Sequence, residues 1–244
     1  VMGNKKYNIL GIIPARKNSK RVPNKNIQLI NNKPLIYYTI SQSLKSRYIN
    51  DVVLSTDSKK ILRYGKKFKK LHTPFLRPSK LAKDKIETFP VIKHAMFFME
   101  KMKKVKYDYI ILLQPTCPMR SSIDIDKAID LLIKKRGESV ISISDVGSNH
   151  PLRMKKILKN GQLANIFDNL KNENMQPIQK LKKFYIRNGA IYASKRDVIT
   201  RLNSIVGKKI FPYLMSQDKS INIDSRDDLF LARLKMKRKK LKMQ

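Results

Sequence analysis

The chain has one cysteine, no tryptophan and no apolar run near the roughly 18 residues that a membrane helix needs. A single cysteine, Cys117, excludes an internal disulfide framework and a paired-cysteine metal knuckle. Residues 1–6 lack the apolar centre of a secretory signal. We therefore expect a cytoplasmic protein that does not span a membrane.

Acidic residues are also scarce, with 18 Asp and Glu against 54 Lys and Arg, which gives a formal net charge of +36. This excess favours adsorption to nucleic acid or other anionic surfaces. The lysines are dispersed along the chain, however, and no basic stripe interleaved with aromatic residues accompanies them. We interpret the charge as solvent-facing decoration, and a basic nucleic-acid-binding protein is the alternative from a different functional class.

Strand and helix patterns alternate through the first 145 residues. Apolar runs predict strands at 9–13, 51–55, 72–76, 109–113 and 139–144, and helical spacing predicts helices at 34–46, 58–67, 88–102 and 123–135. This alternation is typical of an α/β fold with a doubly wound, mostly parallel sheet. We expect one domain over residues 1–244, with the loops at the carboxyl ends of its strands meeting at one edge.

The alternation of predicted strands and helices stops between residues 147 and 185, where Asn-rich and Lys-rich sequence surrounds short apolar segments. We interpret this segment as a small inserted lobe, because its apolar residues need burial. A lobe too small for its own core often packs against a second subunit, so a homodimer formed through it is expected. Strand character returns at 188–193 and 211–215, a last helix is predicted at 225–236, and residues 235–244 form a basic tail.

Residues 9–26 form the most distinctive stretch, in which an apolar strand runs into a loop with five cations. These are Arg16, Lys17, Lys20, Arg21 and Lys25. The loop lacks the glycines of a G-x-G-x-x-G or Walker A signature, so neither a dinucleotide site nor a P-loop is supported. A phosphate group is expected to be held here mainly by side-chain charge at a strand's carboxyl end.

The loop belongs to a series of short motifs that occur in a fixed order. They are Ile13-Pro14-Ala15-Arg16, Asn18-Ser19-Lys20, Lys25-Asn26-Ile27, Leu54-Ser55-Thr56-Asp57, Leu76-Arg77-Pro78, Leu81-Ala82-Lys83-Asp84, Leu112-Leu113-Gln114-Pro115-Thr116, Asn188-Gly189-Ala190-Ile191-Tyr192 and Ile223-Asp224. This series resembles the acylneuraminate cytidylyltransferases, or CMP-sialic acid synthetases. The resemblance covers nearly the whole chain and implies a Rossmann-like nucleotidyltransferase that couples CTP to a nine-carbon nonulosonic acid, releasing pyrophosphate.

The resemblance assigns roles to the opening loop. It implies that Arg16 and Lys20 lie on the triphosphate and stabilise the departing pyrophosphate, and that Lys25 neutralises charge at the reacting phosphate. Ala15 and Asn26 match nucleotide-binding positions, with Asn26 near the ribose. An exposed basic loop without a ligand is the alternative reading.

Further positions follow the same resemblance. Arg77 and Ala82 match the cytosine pocket, while Gln114, Asn188 and Tyr192 fall on the sugar-acid side. Arg77 could instead be an exposed loop cation, Gln114 a strand cap, and Tyr192 an ordinary core residue.

A magnesium site is also implied, because Mg²⁺ suits one or two carboxylates together with substrate phosphate oxygens. Where the family commonly has Asp-Ile-Asp, this chain has Asn222-Ile223-Asp224. We expect Asp224 to be the main ligand, with Asn222 secondary or acting through water, both on one side of a strand. Capping of the last helix is the alternative role for Asp224.

Other departures concern the substrate and the remaining reactive side chains. Arg21 stands where many sialic acid enzymes have glycine, and Ile178 where the family often has arginine, so a sialic, legionaminic or pseudaminic type of acid stays open. A 3-deoxy-octulosonate cytidylyltransferase or a hexose-phosphate enzyme is the nearby alternative. His150 is interpreted as structural and Cys117 as a small hydrophobic residue.

Overall fold

The computed structural model describes residues 7–83, 86–166 and 177–241. Its strands are β1 Ile9–Pro14, β2 Leu29–Ile30, β3 Lys33–Pro34, β4 Asp51–Ser55, β5 Leu71–His72, β6 Tyr109–Leu112, β7 Ser139–Asp145, β8 Lys155–Ile157, β9 Leu163–Asn165, β10 Tyr185–Lys195 and β11 Ile210–Leu214. Seven of them form the central sheet in the order β11-β7-β10-β6-β1-β4-β5. The other four form two hairpins, β2 with β3 and β8 with β9.

The central sheet is mostly parallel, as the sequence predicts. β1 pairs in parallel with β4 and β6, β4 with β5, and β11 with β7. β10 is the exception, since it runs antiparallel between β6 and β7. The carboxyl ends of β1, β4 and β6 therefore meet at one edge of the sheet.

Helices cover both faces of this sheet. They are α1 Leu35–Leu44, α2 Lys59–Gly65, α3 Thr88–Lys103, α4 Ser122–Lys134, α5 Arg196–Arg201 and α6 Arg226–Leu241. Because side chains alternate along a strand, Ile9 and Ile13 of β1 join the core with α1, α2 and α4, whereas Leu10 and Ile12 join the core with α3 and α5. The doubly wound arrangement is thus confirmed.

A third, smaller core lies beside the edge that carries the carboxyl ends. It joins Val22 of the opening loop, Ile30 of β2 and Leu35 of α1 to Ile223 and to Leu229 of α6. The opening loop is therefore packed against the segment that contains Asp224, although about 200 residues separate them in sequence.

Several predicted elements need correction. Residues 222–224 are not part of a strand; the Ile223 amide instead donates to the Thr116 carbonyl at 2.8 Å. Residues 235–241 continue α6 and so are not a separate tail. The hairpins and α5 were not predicted, because two- and three-residue strands and a six-residue helix are too short for a periodic pattern.

The described parts of the predicted lobe contain little buried surface. No side chain of β8 or β9 is buried. His150, in contrast, is 2% exposed: its ring contacts the Lys182 carbonyl at 2.9 Å and accepts from the Leu152 amide, so its role is structural. Part of the predicted lobe, residues 167–176, lies outside the described residues. Within the described ranges, no helix is long and apolar enough to cross a membrane.

Candidate functional site

A cavity of about 270 Å³ opens at the edge where β1, β4 and β6 end. The residues that line it come from the opening loop, the segment before α3, the loop after β6 and the segment before α6: Pro14, Arg16, Ser19, Lys25, Asn26, Arg77, Leu81, Ala82, Lys83, Ile86, Glu87, Thr88, Val91, Gln114, Pro115, Thr116, Asn222 and Asp224. Eight of the twelve predicted site residues are in this set. Motifs that are far apart in sequence therefore meet in one place.

The opening loop is held in shape by contacts with its backbone. The Ala15 amide donates to the Ser55 carbonyl at 2.9 Å, and the Lys17 amide donates to the Asp57 carboxylate at 2.7 Å. The buried side-chain amide of Asn26 donates to the Arg16 carbonyl at 2.9 Å. Ala15 is itself buried, so its methyl group packs in the core while its neighbour Arg16 lines the cavity.

Lys25 connects the opening loop to the end of the chain. It lies in a one-turn 3-10 helix, Lys25–Ile27, and its ammonium donates to the Ile223 carbonyl at 2.6 Å and to the Asp224 carboxylate at 3.1 Å. Its side chain is only 13% exposed. A cation this buried needs its partners, so Lys25 and Asp224 act as one unit at the cavity wall.

The other two loop cations occupy more open positions. Lys20 is exposed and is not among the residues that line the cavity. Arg21 lies 3.5 Å from the Asp224 carboxylate, with its side chain 73% exposed. Asp224 therefore faces two cations from the same loop.

The predicted cytosine side is built around Arg77, which is buried and not an exposed loop cation. Its guanidinium donates to the hydroxyl of Ser55, at 3.1 Å, and to the carbonyl of the same residue. Burial lowers the pKa of Arg77, an effect that Asp57 partly offsets. Ala82 lies beside it in the cavity wall, next to Glu87 and Thr88 where α3 begins. The sequence motifs did not predict a role for Glu87 or Thr88.

A second hollow, of about 320 Å³, adjoins the first on the side of β10. Gln114, Glu87 and Thr88 line both, so Gln114 stands at the boundary between them. The remaining lining residues are Phe89, Leu112, Arg187, Tyr192, Asn203, Ser204, Ile205 and Val206. Arg187 and the residues of the 203–206 loop had no predicted role.

Tyr192 lies in this second hollow, where it is half-buried. Burial raises its pKa, and the charge of Arg187 acts in the opposite direction. The phenol is therefore neutral at physiological pH, and an anion entering the hollow would meet the Arg187 guanidinium.

Asn188 has a different position from the one expected of a substrate contact. Its side chain is buried, accepts from the Ser142 hydroxyl at 2.6 Å and donates to the Ser220 hydroxyl at 2.9 Å; it lines neither hollow. It holds β10 in place at Gly189, where φ is +74°. The left-handed backbone there favours glycine, and an added Cβ atom would lie 3.1 Å from Gln114 Oε1 and push on that side chain.

Arg120 has no role predicted from the sequence, yet it is fully buried behind the site. Its guanidinium donates to the carbonyls of Gln114 and Ala190, at 3.1 and 2.7 Å, and to the Thr39 hydroxyl at 2.7 Å. It thus fixes the loop after β6 to β10. In the sequence it is only a cation three residues beyond Cys117, and that position does not distinguish a buried arginine from a surface one.

Cys117 is fully buried, and its thiol donates to the Asn188 carbonyl at 3.1 Å. Burial raises its pKa to about 11, so the thiol is neutral and unsuited to nucleophilic attack. The interpretation as a small hydrophobic residue agrees with this environment.

Asp224 and Asn222 are the residues that could hold a divalent cation. The Asn222 amide nitrogen donates to the Asp224 carboxylate at 2.7 Å, so both side chains lie on the same side despite the missing strand. Capping of α6 is performed by Ser225 and Asp228, which exchange hydrogen bonds, and so leaves Asp224 free of that role. Among the described residues there is no group of three His, Cys, Asp or Glu side chains that could bind a metal by themselves. One carboxylate with substrate phosphates fits the way Mg²⁺ is usually held.

The geometry can be compared with known proteins. A family model described as "Cytidylyltransferase" matches residues 10–217, which include most of the site and all of the central sheet except Ile9. The chain belongs to the cytidylyltransferase family. The resemblance inferred from the motifs is thereby confirmed.

Relatives within this family act on sugar acids, according to their names. The chain is 36% identical over 234 residues to the CMP-N,N'-diacetyllegionaminic acid synthase of Legionella pneumophila, with 92% of this chain and 94% of that protein covered. It is 33% identical over 227 residues to the N-acylneuraminate cytidylyltransferase of Escherichia coli O18:K1:H7, covering 92% of this chain and 51% of that protein.

The fold has a counterpart among solved structures. CMP:2-keto-3-deoxy-manno-octonic acid synthetase complexed with CTP superimposes with a TM-score of 0.68, covering 95% of this chain and 99% of that chain. At 16% identity this likeness concerns the fold alone. It agrees with the α/β nucleotidyltransferase architecture described above.

Proposed function

We propose that this cytidylyltransferase joins CTP to a nonulosonic acid of the sialic, legionaminic or pseudaminic type, giving the CMP-sugar and pyrophosphate. The observation that carries the proposal is the meeting of Arg16, Lys25, Arg77 and Gln114 around one cavity, with a second hollow adjoining it. The relatives named above support the class of acid. Two adjoining hollows suit a reaction that joins two substrates.

In the proposed reaction a hydroxyl oxygen of the sugar acid attacks the α-phosphorus of CTP. The new phosphorus–oxygen bond forms as the bond from the α-phosphorus to the bridging oxygen breaks, pyrophosphate leaves, and the hydroxyl proton is lost to solvent. The protein's part in such a displacement is positioning and neutralisation of charge. Arg16 and Lys25, which line the cavity, are the cations proposed for the triphosphate, and exposed Lys20 would reach the departing pyrophosphate from outside the cavity.

The base and ribose are proposed to lie on the other side of this cavity. Arg77 and Ala82 would contact cytosine, and Asn26, held at the Arg16 carbonyl, would lie beside the ribose. The rigid attachment of Arg77 to Ser55 supports this placement, because a fixed donor selects one base more sharply than a mobile one.

Mg²⁺ is proposed as the cofactor, and when bound it would neutralise the developing charge on the phosphate oxygens. Asp224 would hold it, with Asn222 at its side. We expect that chelation of the divalent ion abolishes pyrophosphate release and that added Mg²⁺ restores it.

The sugar acid is proposed to occupy the second hollow, with Gln114 at the junction and Tyr192 as part of the wall. Arg187 is the cation that lines this hollow, and a guanidinium pairs well with a carboxylate. Asn188 would act through Gly189 and not by direct contact.

The proposal is tested by supplying purified protein with CTP, Mg²⁺ and one acid at a time. The panel contains sialic, legionaminic and pseudaminic acids, 3-deoxy-octulosonic acid and a hexose phosphate, and both pyrophosphate and the CMP-sugar are measured. We expect turnover with a nonulosonic acid. Turnover with 3-deoxy-octulosonic acid or the hexose phosphate alone would replace the proposed substrate, and no turnover with any compound would reject the function.

We further propose that the protein forms a homodimer through the 147–185 lobe. Ile157 and Leu163 of the β8–β9 hairpin are 77% and 71% exposed, and Ile186 of β10 is exposed beside the lobe. Exposed apolar side chains on a hairpin without a core of its own support a second copy of the chain as the partner that covers them.

Light scattering of the unaltered protein is expected to give twice the mass of the chain. The Ile157→Asp, Leu163→Asp double variant is expected to give the mass of one chain. Leu29→Asp, which changes an exposed leucine elsewhere, is the control. A single-chain mass for the unaltered protein would reject the dimer.

The proposed place of action is the cytoplasm, where CTP is made. Fractionation of cells that produce the protein tests this, with recovery in the membrane or secreted fraction as the contrary result.

A further inference from the structure

The carboxylate of Asp224 is already engaged by donors from the protein. One oxygen, Oδ1, accepts from Lys25 at 3.1 Å and lies 3.5 Å from the Arg21 guanidinium. The other, Oδ2, accepts from the Asn222 amide at 2.7 Å. Both oxygens already accept from the protein, so a metal ion that binds here competes with these donors for the negative charge of the carboxylate.

Asn222 is turned so that its oxygen faces away from Asp224. Its Oδ1 lies 3.7 Å from the Cys117 thiol, while its nitrogen faces the carboxylate. The reverse orientation would put an amide oxygen against a carboxylate oxygen, and two acceptors repel each other. In this arrangement Asn222 supplies a hydrogen-bond donor to Asp224 and no ligand oxygen beside it.

The surrounding charge also disfavours a free divalent cation. Arg16, Lys25, Arg77 and Lys83 line the cavity, against the two carboxylates Glu87 and Asp224. Arg21 adds another cation within reach of Asp224. A divalent cation entering an empty cavity is therefore repelled, whereas the triphosphate of CTP, with its several negative charges, reverses the sign of the local field.

We propose that the divalent-cation site of this protein does not exist until the nucleotide is bound, and that Arg21 and Lys25 hold Asp224 in its place until then. The inference rests on the proposed function, since it takes a nucleoside triphosphate as the ligand of the cavity. Once the phosphates draw the two cations to themselves, Asp224 is released to the metal ion. Arg21 is thus a positioning residue that acts through Asp224.

The proposed transfer of Asp224 from the cations to the metal ion explains why exposed Arg21 and the neutral amide of Asn222 occur together at this site. An aspartate in place of Asn222 would put two carboxylates side by side, which attract a divalent cation strongly. A glycine in place of Arg21 would remove the competing cation. The variant Arg21→Gly, Asn222→Asp is accordingly expected to have a metal site that forms without the nucleotide.

The test measures binding of Mn²⁺ by its electron paramagnetic resonance signal, without any sugar acid, so that CTP is not consumed. The unaltered protein alone is expected to leave Mn²⁺ in solution. Protein with CTP is expected to hold it at least about tenfold more tightly than CTP does by itself. Cytidine, which lacks phosphates, is expected to have no effect.

The variants then separate the parts of the inference. Without CTP, the double variant is expected to bind Mn²⁺ at least about tenfold more tightly than the unaltered protein. Arg21→Lys keeps a cation and is expected to behave like the unaltered protein, as is Lys17→Ala, which removes an exposed charge from the same loop. Thermal unfolding of each variant establishes that it is folded.

Two results would overturn the inference. One is tight Mn²⁺ binding by the unaltered protein without CTP, and the other is a folded double variant that gains no affinity. Failure of the proposed function is a separate outcome, because it shows as absence of pyrophosphate with every acid while the Mn²⁺ measurements still follow CTP.

Discussion

The proposed nucleotide side and the proposed sugar side of the site, which are the first cavity and the second hollow, are built differently. On the nucleotide side, Arg77 and Lys25 are buried or nearly so, and each is attached to a backbone carbonyl of another element. On the sugar side, Arg187 is exposed, and it shares the hollow with the loop 203–206 between α5 and β11. The nucleotide side is therefore part of the packed edge of the central sheet, whereas the sugar side lies next to that edge and is more open.

From this difference we infer which half of the site can change without loss of the fold. Replacing Lys25 or Arg77 leaves buried acceptors without donors, which is costly. Replacing Arg187 leaves an exposed position and few unsatisfied groups. We therefore expect that a protein of this family can change its acid while it keeps its nucleotide, and the departures from the family at Arg21 and Ile178 agree with this expectation. The Ile178 side chain lies outside the described part of the structure.

The largest effect is expected from Lys25→Met on the nucleotide side. The change removes a charge beside the reacting phosphate and leaves the Ile223 carbonyl and Asp224 without their donor. We expect kcat to fall about 10²- to 10³-fold, as for loss of one preorganised charge donor. Pyrophosphate release at saturating substrates measures it, with Lys17→Ala as the matched change in the same loop. Equal losses from both would show that the loop acts only by its total charge.

A smaller loss is expected from Gly189→Ala, which lies at the boundary of the two sides. The backbone there has φ +74°, and the added Cβ would lie 3.1 Å from Gln114 Oε1. Left-handed backbone costs about 1 kcal/mol for alanine, and displacement of Gln114 disturbs both hollows. We expect kcat to fall about tenfold with KM raised for both substrates.

Gly161→Ala is the control for that change, because the backbone there also has positive φ but a Cβ would meet nothing within 4 Å. If only the KM for CTP rises in Gly189→Ala, Gly189 affects the nucleotide side alone. That result would contradict the placement of Gln114 between the two hollows.

The sequence was sufficient to predict most of the residues that meet in the first cavity, because they occur in compact motifs. Arg16 and Arg77 each follow a predicted strand within three residues, and Lys25 and Asn26 belong to the loop that begins at the first of these strands. Parallel strands bring their carboxyl ends together. The motif alone did not show that Lys25 is paired with Asp224, since that contact spans about 200 residues.

The lining of the second hollow could not be predicted to the same extent. β10 is antiparallel, and its register shifts between Arg187 and Tyr192, so alternation along the strand does not tell which side chains share a face. The structure brings Arg187 and Tyr192 together in the hollow and turns Asn188 into the core. Buried Arg120, which joins the two sides, looks like any other cation among the 54 in the sequence.

On the sugar side, Arg187→Ala is expected to raise the KM for the sugar acid about tenfold and to leave the KM for CTP unchanged. A charged hydrogen bond is worth about 1.5–3 kcal/mol, and the exposure of Arg187 places it at the lower end. Steady-state kinetics with each substrate varied in turn measures the two constants. Lys183→Ala removes an exposed charge from the preceding segment as a control. A rise in the KM for CTP would mean that the two hollows do not divide the substrates as proposed.

The smallest effect on turnover is expected from Cys117→Ala, behind the nucleotide side. Its pKa, raised from 9.0 to about 11 by burial, keeps the thiol neutral in the folded protein. A group whose pKa is higher in the folded protein than in the unfolded protein stabilises the fold at any pH below its unfolded pKa. This contribution is lost as the pH rises from the unfolded pKa through the folded pKa. The free energy of unfolding should therefore fall between pH 9 and 11, by at most about 3 kcal/mol, and fall less in the variant. Denaturant unfolding at each pH measures the difference, while kcat at neutral pH should stay within about threefold. A large loss of kcat would contradict this prediction. It would show that the Cys117 thiol, although buried behind the cavity wall, contributes to the reaction.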